Sequence, residues 1–300
     1  MATRRRWRTT IRRRIARWLA FHDRARAWAL LAPGTLWLLA FFVAPVLIMG
    51  AYSVMVRGTY GGVEPGFTLE SYARFFEPLY LRILVRTVGL AILTTLICLC
   101  AGYPMAYAIA GAGRWKHALL FLVVLPFWTS FLVRTYAIMF LLRDSGIVNS
   151  ALLAIGAIET PLTLLYTPGA VLAGLVYGYL PFMVLPVYAS LEKLDPSLLE
   201  AAESLGARPA ARFLRVTLPL SIPGIVAGCL LVFIPSLGAF LTPDLLGGAK
   251  QVMIGNLVQQ QFGAGRDWPF GAAASFVLMG VVLASVYAFL RRGAALPEEV

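Results

Sequence analysis

Long stretches without a charged residue are the feature of this 300-residue sequence that most restricts how it can fold. About 20 apolar residues in a helix cross the hydrocarbon core of a bilayer. Charged residues make up only 13% of the chain, whereas a typical soluble domain contains about 25%. The sequence therefore excludes a water-soluble fold and predicts an all-α integral membrane protein. Five stretches qualify directly as membrane spans: Trp28–Val56, Thr87–Gly113, Thr160–Leu191, Val216–Pro243 and Trp268–Leu290.

A sixth span is predicted at Ala118–Leu142, where Arg134 is the only charged residue. A cation inside a span costs about 2.5–3.5 kcal/mol on insertion scales, so Arg134 is expected to reach outward and to find an ion pair or carbonyl contacts. Arg86, at the outer start of the second span, is interpreted as an interfacial anchor. The charge-free piece Ser145–Ile158 is too short to cross and is expected at the outer face. Six spans place both termini on the same side.

The formal net charge of +12 follows from this topology. Most of the 26 Lys and Arg residues fall on the terminal side, and such residues accumulate in short loops that stay in the cytoplasm. We therefore predict a multi-pass protein of the bacterial cytoplasmic (inner) membrane, with both termini cytoplasmic and no nucleic-acid partner. In the basic N-terminal arm, Trp7, Ile11 and Trp18 recur at roughly helical spacing. An amphipathic helix on membrane lipid is favoured there over RNA binding.

The loop between the fourth and fifth spans carries the densest helix punctuation in the chain. Asp195-Pro196 is an N-cap followed by proline at the first helical position, and it predicts the start of a helix. Gly206 is expected to end that helix in the left-handed conformation. Pro209 predicts a second short helix, which Pro219 is expected to end where the fifth span begins. By composition alone, this is an amphipathic loop helix with solvated charges.

The spacing in this loop resembles the EAA loop of the permease subunits of bacterial ABC importers. The string is Glu-Ala-Ala, three residues, Gly, nine residues, Val, one residue and Leu-Pro, with valine where the family usually has isoleucine. In that family the loop is a coupling helix that docks in a groove of a cytoplasmic ATPase. Small alanines allow another protein to approach closely, and a glutamate can accept a charge-assisted hydrogen bond. The resemblance assigns ATPase coupling to Glu200, Ala201, Ala202, Gly206, Val216, Leu218 and Pro219.

Four further segments resemble the spermidine/putrescine importer permeases: LPFWTS at 125–130, the segment 174–195, SLGAFLTPDLLGG at 236–248 and WPFG at 268–271. The resemblance covers nearly the whole chain after Trp28. It implies a six-span type I (MetI-like) permease fold and a subunit that forms half of a polyamine pathway. It also implies three kinds of partner, namely a cytoplasmic ATPase dimer, a second homologous permease and an extracytoplasmic substrate-binding protein. Another small organic solute is the alternative substrate.

No ATP-binding sequence accompanies the coupling loop. The chain lacks the G-x-x-x-x-G-K-[ST] string, so ATP and Mg²⁺ are expected on the partner ATPase, and this chain is expected to bind no cofactor. We predict a non-catalytic permease subunit without a metal site, because Cys98, Cys100 and Cys229 lie in apolar runs without ligand spacing. A secondary transporter would need coupling-ion carboxylates in its spans, and a membrane enzyme would need an ionisable cluster at bilayer depth.

The predicted organisation has four parts. A basic amphipathic arm at residues 1–27 lies on the cytoplasmic leaflet and precedes a six-span permease domain at 28–292. The coupling loop occupies 192–218 within that domain, and a C-terminal tail occupies 293–300.

Carboxylates are expected at the mouth of a polyamine path, because the solute is a polycation. Asp244, just beyond the fifth span, is the best candidate. Asp144 and Glu159 are expected at the outer mouth or in contact with the binding protein, and plain loop exposure is the alternative for both.

Aromatic surfaces are expected deeper in the path, where they can hold ammonium groups. Phe233, Ser236 and Phe240 occur at i, i+3 and i+7 around Pro235, which permits a kink. This face is a candidate gate, and aromatic packing against a neighbouring span is the alternative.

Overall fold

The computed structural model describes residues 30–293, so the predicted arm at 1–27 and most of the predicted tail lie outside the described residues. The chain divides into two compact units, Met1–Tyr52 and Ser53–Val300. The described part of the first unit consists of helix α1, Leu30–Ser53, whose last residue belongs to the second unit.

A π-helical turn at Leu39–Val43 widens α1 just before Pro45. Proline has no backbone N–H, and in a regular α-helix its ring collides with the carbonyl group four residues back. The Ala44 N–H donates to the Leu39 carbonyl oxygen, one residue farther back than in an α-helix. The wider turn makes room for the proline ring, so α1 passes through Pro45 without ending.

The second unit begins with a small hairpin, and the rest of its regular structure is helical. Strands β1 (Val56–Arg57) and β2 (Val63–Glu64) pair antiparallel, with Val56 opposite Glu64. The helices are α2 (Glu70–Phe75), α3 (Pro78–Ala110), α4 (Lys116–Val124), α5 (Phe131–Leu142), α6 (Ile147–Ala154), α7 (Pro168–Glu192), α8 (Pro196–Ser204), α9 (Pro209–Leu237), α10 (Leu241–Gly247), α11 (Ile254–Phe262) and α12 (Trp268–Gly293).

Within residues 30–293, six helical stretches are long and apolar enough to cross a membrane, as the sequence predicts. They lie in α1, α3, α7, α9, α12 and the pair α5–α6. The predicted boundaries are less accurate. Helix α7 starts at Pro168 and not at Thr160, because Pro168 suits the first turn and the Thr167 hydroxyl accepts a hydrogen bond from the Ala170 N–H (3.2 Å).

The third crossing is not the continuous helix that the sequence predicts at Ala118–Leu142. Helix α4 passes into a 3₁₀ turn at Leu125–Trp128, and Thr129 and Ser130 are extended before α5 begins. The Thr129 hydroxyl donates to the Pro126 carbonyl oxygen (2.7 Å), which a continuing helix would have used. This local hydrogen bond competes with the helix, and the apolar pattern alone could not reveal it.

Despite the break, residues 116–142 run antiparallel to α7 over most of its length. Residues 116–142 therefore pass along α7 as two helices. The helical stretch that is itself long and apolar enough to cross a membrane is Phe131–Ala154, so it includes part of the piece at 145–158 that the sequence assigns to the outer face. The paired groups, from the inner to the outer end, are Lys116 and Glu192 in a 2.8 Å salt bridge, Phe127 and Phe182 with ring centroids 5.1 Å apart, Phe131 against Gly178, and Met139 in one cluster with Val171.

Arg134 lies in this segment. The prediction that its side chain reaches outward to an ion pair or to carbonyl groups is wrong for the described residues. Its guanidinium group lies over the rings of Phe127 and Phe131, at 4.7 and 5.6 Å from their centroids. Both rings precede Arg134 in the chain, so the side chain points away from the outer end of the crossing. No ion pair or hydrogen bond to its buried nitrogens Nε and Nη1 occurs within residues 30–293.

Helices α3, α7 and α9 form the centre of the second unit. Glycines bring α7 and α9 close together, because a Cβ on Gly228 would lie 2.7 Å from the Met183 sulfur and one on Gly224 would lie 2.6 Å from the Pro186 carbonyl oxygen. Such small residues let membrane helices pack closely. Cys98 and Cys229 are buried here as free thiols.

Candidate coupling surface and outer mouth

Helix α8 of the loop between the fourth and fifth spans begins where the sequence predicts. The Asp195 carboxylate accepts a hydrogen bond from the Ser197 N–H (2.9 Å), and Pro196 occupies the first turn. The backbone and side-chain hydrogen bonds from Ser197, the backbone bond foremost, hold the pKa of Asp195 below its ordinary value. The loop therefore contains a capped, preformed helix.

Gly206 ends this part of the loop in the left-handed conformation, as predicted, with φ of +80°. The Gly206 N–H donates to the Glu203 carbonyl oxygen (2.8 Å), and the Ala207 N–H reaches back to the Ala202 carbonyl oxygen (3.0 Å). A Cβ on Gly206 would meet no atom within 4 Å. The need for glycine at this turn is therefore conformational and not steric.

One face of α8 is an exposed apolar stripe, formed by Leu198, Ala201 and Leu205 at i, i+3 and i+7. Leu205 is 88% exposed, and Glu200 is exposed beside the stripe. Ala202 is half-buried, so the two alanines of the motif have different surroundings. Exposed apolar patches mark interaction surfaces. The prediction missed both leucines, although their helical spacing from Ala201 could have revealed them.

The second helix of the loop does not end at Pro219, and this prediction is wrong. From Pro209 the helix continues through a π-helical turn at Phe213–Thr217 into the fifth span, so that α9 is one helix. The Leu218 N–H donates to the Phe213 carbonyl oxygen, which widens the turn before proline as in α1. The coupling loop is therefore continuous with a membrane-spanning helix.

Phe213 anchors the π-helical turn to α3. Its ring packs edge-on against Tyr103 and Tyr107, with ring centroids 5.7 Å apart in each pair. Eight residues farther along α9, the Ser221 hydroxyl lies 3.0 Å from the Tyr103 hydroxyl. Edge-to-face aromatic pairs contribute about 0.5–1.5 kcal/mol each beyond their buried area. These contacts therefore join the start of α9 to α3.

The remaining motif residues lie at this junction and not on the exposed stripe. Val216 and Leu218 are half-buried, and Pro219 is exposed directly after the widened turn. A salt bridge from Arg212 to Glu203 (3.0 Å) joins the start of α9 to α8. The motif therefore combines an exposed apolar stripe, a turn and a junction with α9.

At the outer end of α9, the three residues of the predicted gate have different surroundings. Phe233 is 4% exposed and packs in one cluster with Ala91 and Leu237. Ser236 is fully buried, and its hydroxyl donates to the Val232 carbonyl oxygen (2.7 Å). Phe240 is 46% exposed, so only this ring of the three presents a large surface.

The chain leaves the helix after Leu237, and Asn256 holds the resulting break. Its side-chain amide donates to the Phe240 carbonyl oxygen (2.7 Å) and accepts from the Met253 N–H (3.2 Å). A Cβ on Gly255 would lie 2.6 Å from the carbonyl oxygens of Gly238 and Ala239, so α11 approaches the broken backbone directly. The prediction missed Asn256, because its role depends on a contact between distant segments.

Asp244 is exposed on α10, which follows the break. Thr242 and Leu246 lie on the other face of α10 and pack against α7, since a Cβ on Gly174 would collide with both side chains. Asp144 and Glu159 are also exposed, and none of the three carboxylates forms a salt bridge within the described residues. Their side chains are therefore available for contact, and their place at an outer mouth stays a prediction.

Asp267 is an outer carboxylate with a structural role. It is buried, lies 2.9 Å from Arg74 and 3.6 Å from Arg57, and accepts from the Phe270 N–H at the start of α12 (3.2 Å). Arg86, interpreted from the sequence as an anchor, donates to the Lys250 carbonyl oxygen (3.3 Å). These contacts fasten the outer loops to the spans.

The six candidate spans and the glutamate-alanine-alanine loop all lie within the residues that the model of one known family matches. The model of the family described as "binding-protein-dependent transport system inner membrane component" matches residues 28–294. This chain belongs to that family. It is therefore a multi-pass inner-membrane permease that works in a binding-protein-dependent system.

Several curated relatives are permeases of one kind. The spermidine/putrescine transport system permease protein PotB of Salmonella typhimurium (strain SL1344) is 47% identical over 251 residues, covering 82% of this chain and 88% of that protein. PotB of Escherichia coli (strain K12) is 46% identical and covers 82% and 91%. PotB of Haemophilus influenzae is 42% identical over 265 residues and covers 88% and 93%.

Solved structures confirm the fold. The crystal structure of a bacterial ABC transporter involved in the import of alginate has a TM-score of 0.75 at 19% identity, covering 94% of this chain and 99% of that chain. The alginate transporter in complex with an alginate pentasaccharide-bound periplasmic protein has a TM-score of 0.78, also at 19% identity, covering 94% and 98%. With the permease relatives, these likenesses confirm the predicted fold class and a non-catalytic permease subunit of an ABC importer.

Proposed function

We propose that this permease forms half of a translocation pathway for polyamines such as spermidine and putrescine. ATP hydrolysis on a separate cytoplasmic ATPase drives the transport. The observation that carries the proposal is the identity of 42–47% with PotB proteins over 82–88% of this chain.

The outer end of α9 supplies chemistry that suits such a solute. The exposed ring of Phe240 borders a groove of about 510 Å³ that also contains Gln259 and Ser275. An aromatic face attracts ammonium groups, and the carbonyl end of a helix carries partial negative charge. Asp244 adds a full negative charge on the next helix. Together these groups favour an extended cation with apolar links, so we assign Asp244 and Phe240 to the path and Asp144 and Glu159 to its mouth.

Each of the proposed partners contacts a different part of the permease. On the cytoplasmic side, the stripe of Leu198, Ala201 and Leu205 docks in one subunit of an ATPase dimer, which binds the ATP and Mg²⁺. A second homologous permease completes the pathway, and an extracytoplasmic binding protein delivers the solute to the outer mouth. This arrangement requires the coupling loop and both termini to be cytoplasmic.

The orientation is tested by topology reporters. A reporter after Arg292 and cysteine probes in the loop at 192–216 should respond as cytoplasmic sites, whereas probes near Gly62 and Lys250 should respond as external sites. A single reversed loop would contradict the six-span arrangement.

The substrate is tested on the complete importer, purified with its partner chains and reconstituted in vesicles. Putrescine, spermidine, an alginate oligosaccharide and an amino acid are supplied in turn with the binding protein. We expect polyamines alone to stimulate ATP hydrolysis, and their uptake to require hydrolysable ATP. Stimulation by another solute without a response to polyamines would show that the importer carries a different class of solute. Uptake independent of the ATPase would indicate a secondary transporter.

A further inference from the structure

Arg134 is a cation within a candidate membrane span, and its buried nitrogens Nε and Nη1 have no acceptor among the described residues. The rings of Phe127 and Phe131, which lie under its guanidinium group, pack against Phe182 and Tyr179. These two residues are near the middle of α7, a 25-residue helix that is about 37 Å long at 1.5 Å per residue. The guanidinium group is therefore near mid-depth, where snorkelling to either surface is hindered.

The backbone next to Arg134 also exposes polar groups. Thr129 and Ser130 are extended and exposed, and no side chain caps the first N–H groups of α5. Arg134 lies one turn from Ser130 and donates its backbone N–H to the Ser130 carbonyl oxygen (3.1 Å). Two positive features therefore coincide, namely the open N-terminal end of a 12-residue helix and a guanidinium group.

Lipid cannot cover this face at low cost. A charge at the centre of a bilayer is expensive, and irregular backbone at membrane depth is tolerated only where protein buries it or where it lines a water-filled cavity. Arg134 is half-buried, so part of its side chain reaches the surface of the chain, while Nε and Nη1 are buried without a hydrogen-bond partner in residues 30–293. We therefore expect the face that contains Ser130 and Arg134 to border either a second protein chain or a water-filled pathway.

We propose that Arg134 and the open N-terminus of α5 form a positive barrier that keeps small inorganic cations out of the resting pathway. Fixed positive charge and helix-end dipoles exclude cations from other membrane pores in the same way. The proposal rests on the proposed function only in that a pathway runs along this face. The aromatic rings hold the guanidinium group without a fixed acceptor, so it can move aside when the pathway opens.

The barrier is tested by ion flux through the complete importer in vesicles, without ATP, binding protein or polyamine. Arg134→Gln removes the charge, and we expect potassium leak to rise about tenfold or more while chloride leak stays at the parental value. Arg134→Lys keeps the charge and should leak no more than the parent. Arg143→Gln is the matched control, because the Arg143 guanidinium group also lies over a ring, that of Phe140 at 4.6 Å, but on an exposed residue beyond α5.

Three outcomes would overturn the barrier. Potassium leak of Arg134→Gln at the parental level, in complexes of equal amount, would show that the charge excludes nothing. Equal rises in potassium and chloride would show that the substitution merely opens a hole. Loss of the partner chains from Arg134→Gln but not from Arg134→Lys, on size-exclusion chromatography, would assign Arg134 to a subunit contact. None of these outcomes depends on which solute the importer carries, so the solute panel tests the polyamine proposal separately.

Discussion

Helix α9 continues through a proline at one end and stops shortly after a proline at the other. At the cytoplasmic end, the π-helical turn at Phe213–Thr217 lets the helix pass through Pro219 and continue into the coupling loop. At the outer end, the helix stops at Leu237, two residues after Pro235, and a short separate helix follows. We call the first end the inner link, because the helix is continuous there. We call the second end the outer joint, because the helix is interrupted there.

The contacts around each end agree with this difference. Phe213 packs against two tyrosines of α3, so the inner end moves as part of a helix pair. The outer break is held by Asn256 of α11, and α10 packs on α7. If an ATPase displaces the loop, we expect α9 and α3 to move together, whereas the two sides of the outer joint should move differently.

The largest effect is expected from a bulky side chain on the exposed stripe. Ala201→Trp should reduce solute uptake and recovery of the ATPase with the complex by about tenfold or more, because steric overlap at the centre of an interface costs more than 1.4 kcal/mol. Ala201→Ser adds little volume and should behave like the parent. Full ATPase association and uptake with tryptophan at this position would remove the stripe from the docking surface.

A smaller loss of transport coupling is expected when the turn at Gly206 is strained. Gly206→Val places a β-branched residue at φ of +80°, which costs about 1–2 kcal/mol although the space around the Cβ is open. Solute moved per ATP hydrolysed should fall several-fold. Gly206→Asn, which tolerates this conformation, should retain most of the coupling. Equal coupling ratios for the valine variant and the parent would contradict a fixed turn.

At the outer joint, removal of the Asn256 hydrogen bonds should reduce both the thermal stability of the complex and transport. Asn256→Ala leaves the Phe240 carbonyl oxygen and the Met253 N–H without their side-chain partner, at a cost of about 1–3 kcal/mol. Asn149→Ala is a matched control, because Asn149 is also buried and bonds to Arg143 and Leu162. Thermal unfolding of the purified complex should shift for both variants, whereas uptake at equal protein levels should fall only for Asn256→Ala. Equal uptake by the two variants would contradict the joint.

The smallest effect is expected from the charge beyond the joint. Asp244→Asn nearly preserves volume and removes the charge, so initial uptake of radiolabelled spermidine and putrescine should fall by about two- to fivefold. Asp244→Glu should retain more activity than Asp244→Asn, and complex assembly should not change. If Asp244→Asn transported as fast as the parent, or if Asn were tolerated better than Glu, Asp244 would not belong to the path.

Local sequence signals predicted the cytoplasmic loop well. The Asp195 cap and the Gly206 turn depend on residues adjacent in the chain, and both are confirmed. The continuity of α9 was not predicted, because proline was expected to end the helix. A π-helical turn two residues earlier removes the steric conflict, and the packing of Phe213 against α3 stabilises that turn.

The sequence by itself determined the number of spans, their approximate positions and the class of transporter. Apolar length and motif spacing depend only on the order of residues, so no tertiary contact is needed to recognise them. Only the tertiary structure decided which residues face outward, as with Ala201 and Ala202, and where the chain breaks, as at Thr129–Ser130 and Gly238–Phe240. The break at Gly238–Phe240 depends on a contact with α11, about which a local pattern contains no information. The break at Thr129–Ser130 depends on a local side-chain hydrogen bond that competes with the helix, which the apolar pattern does not reveal.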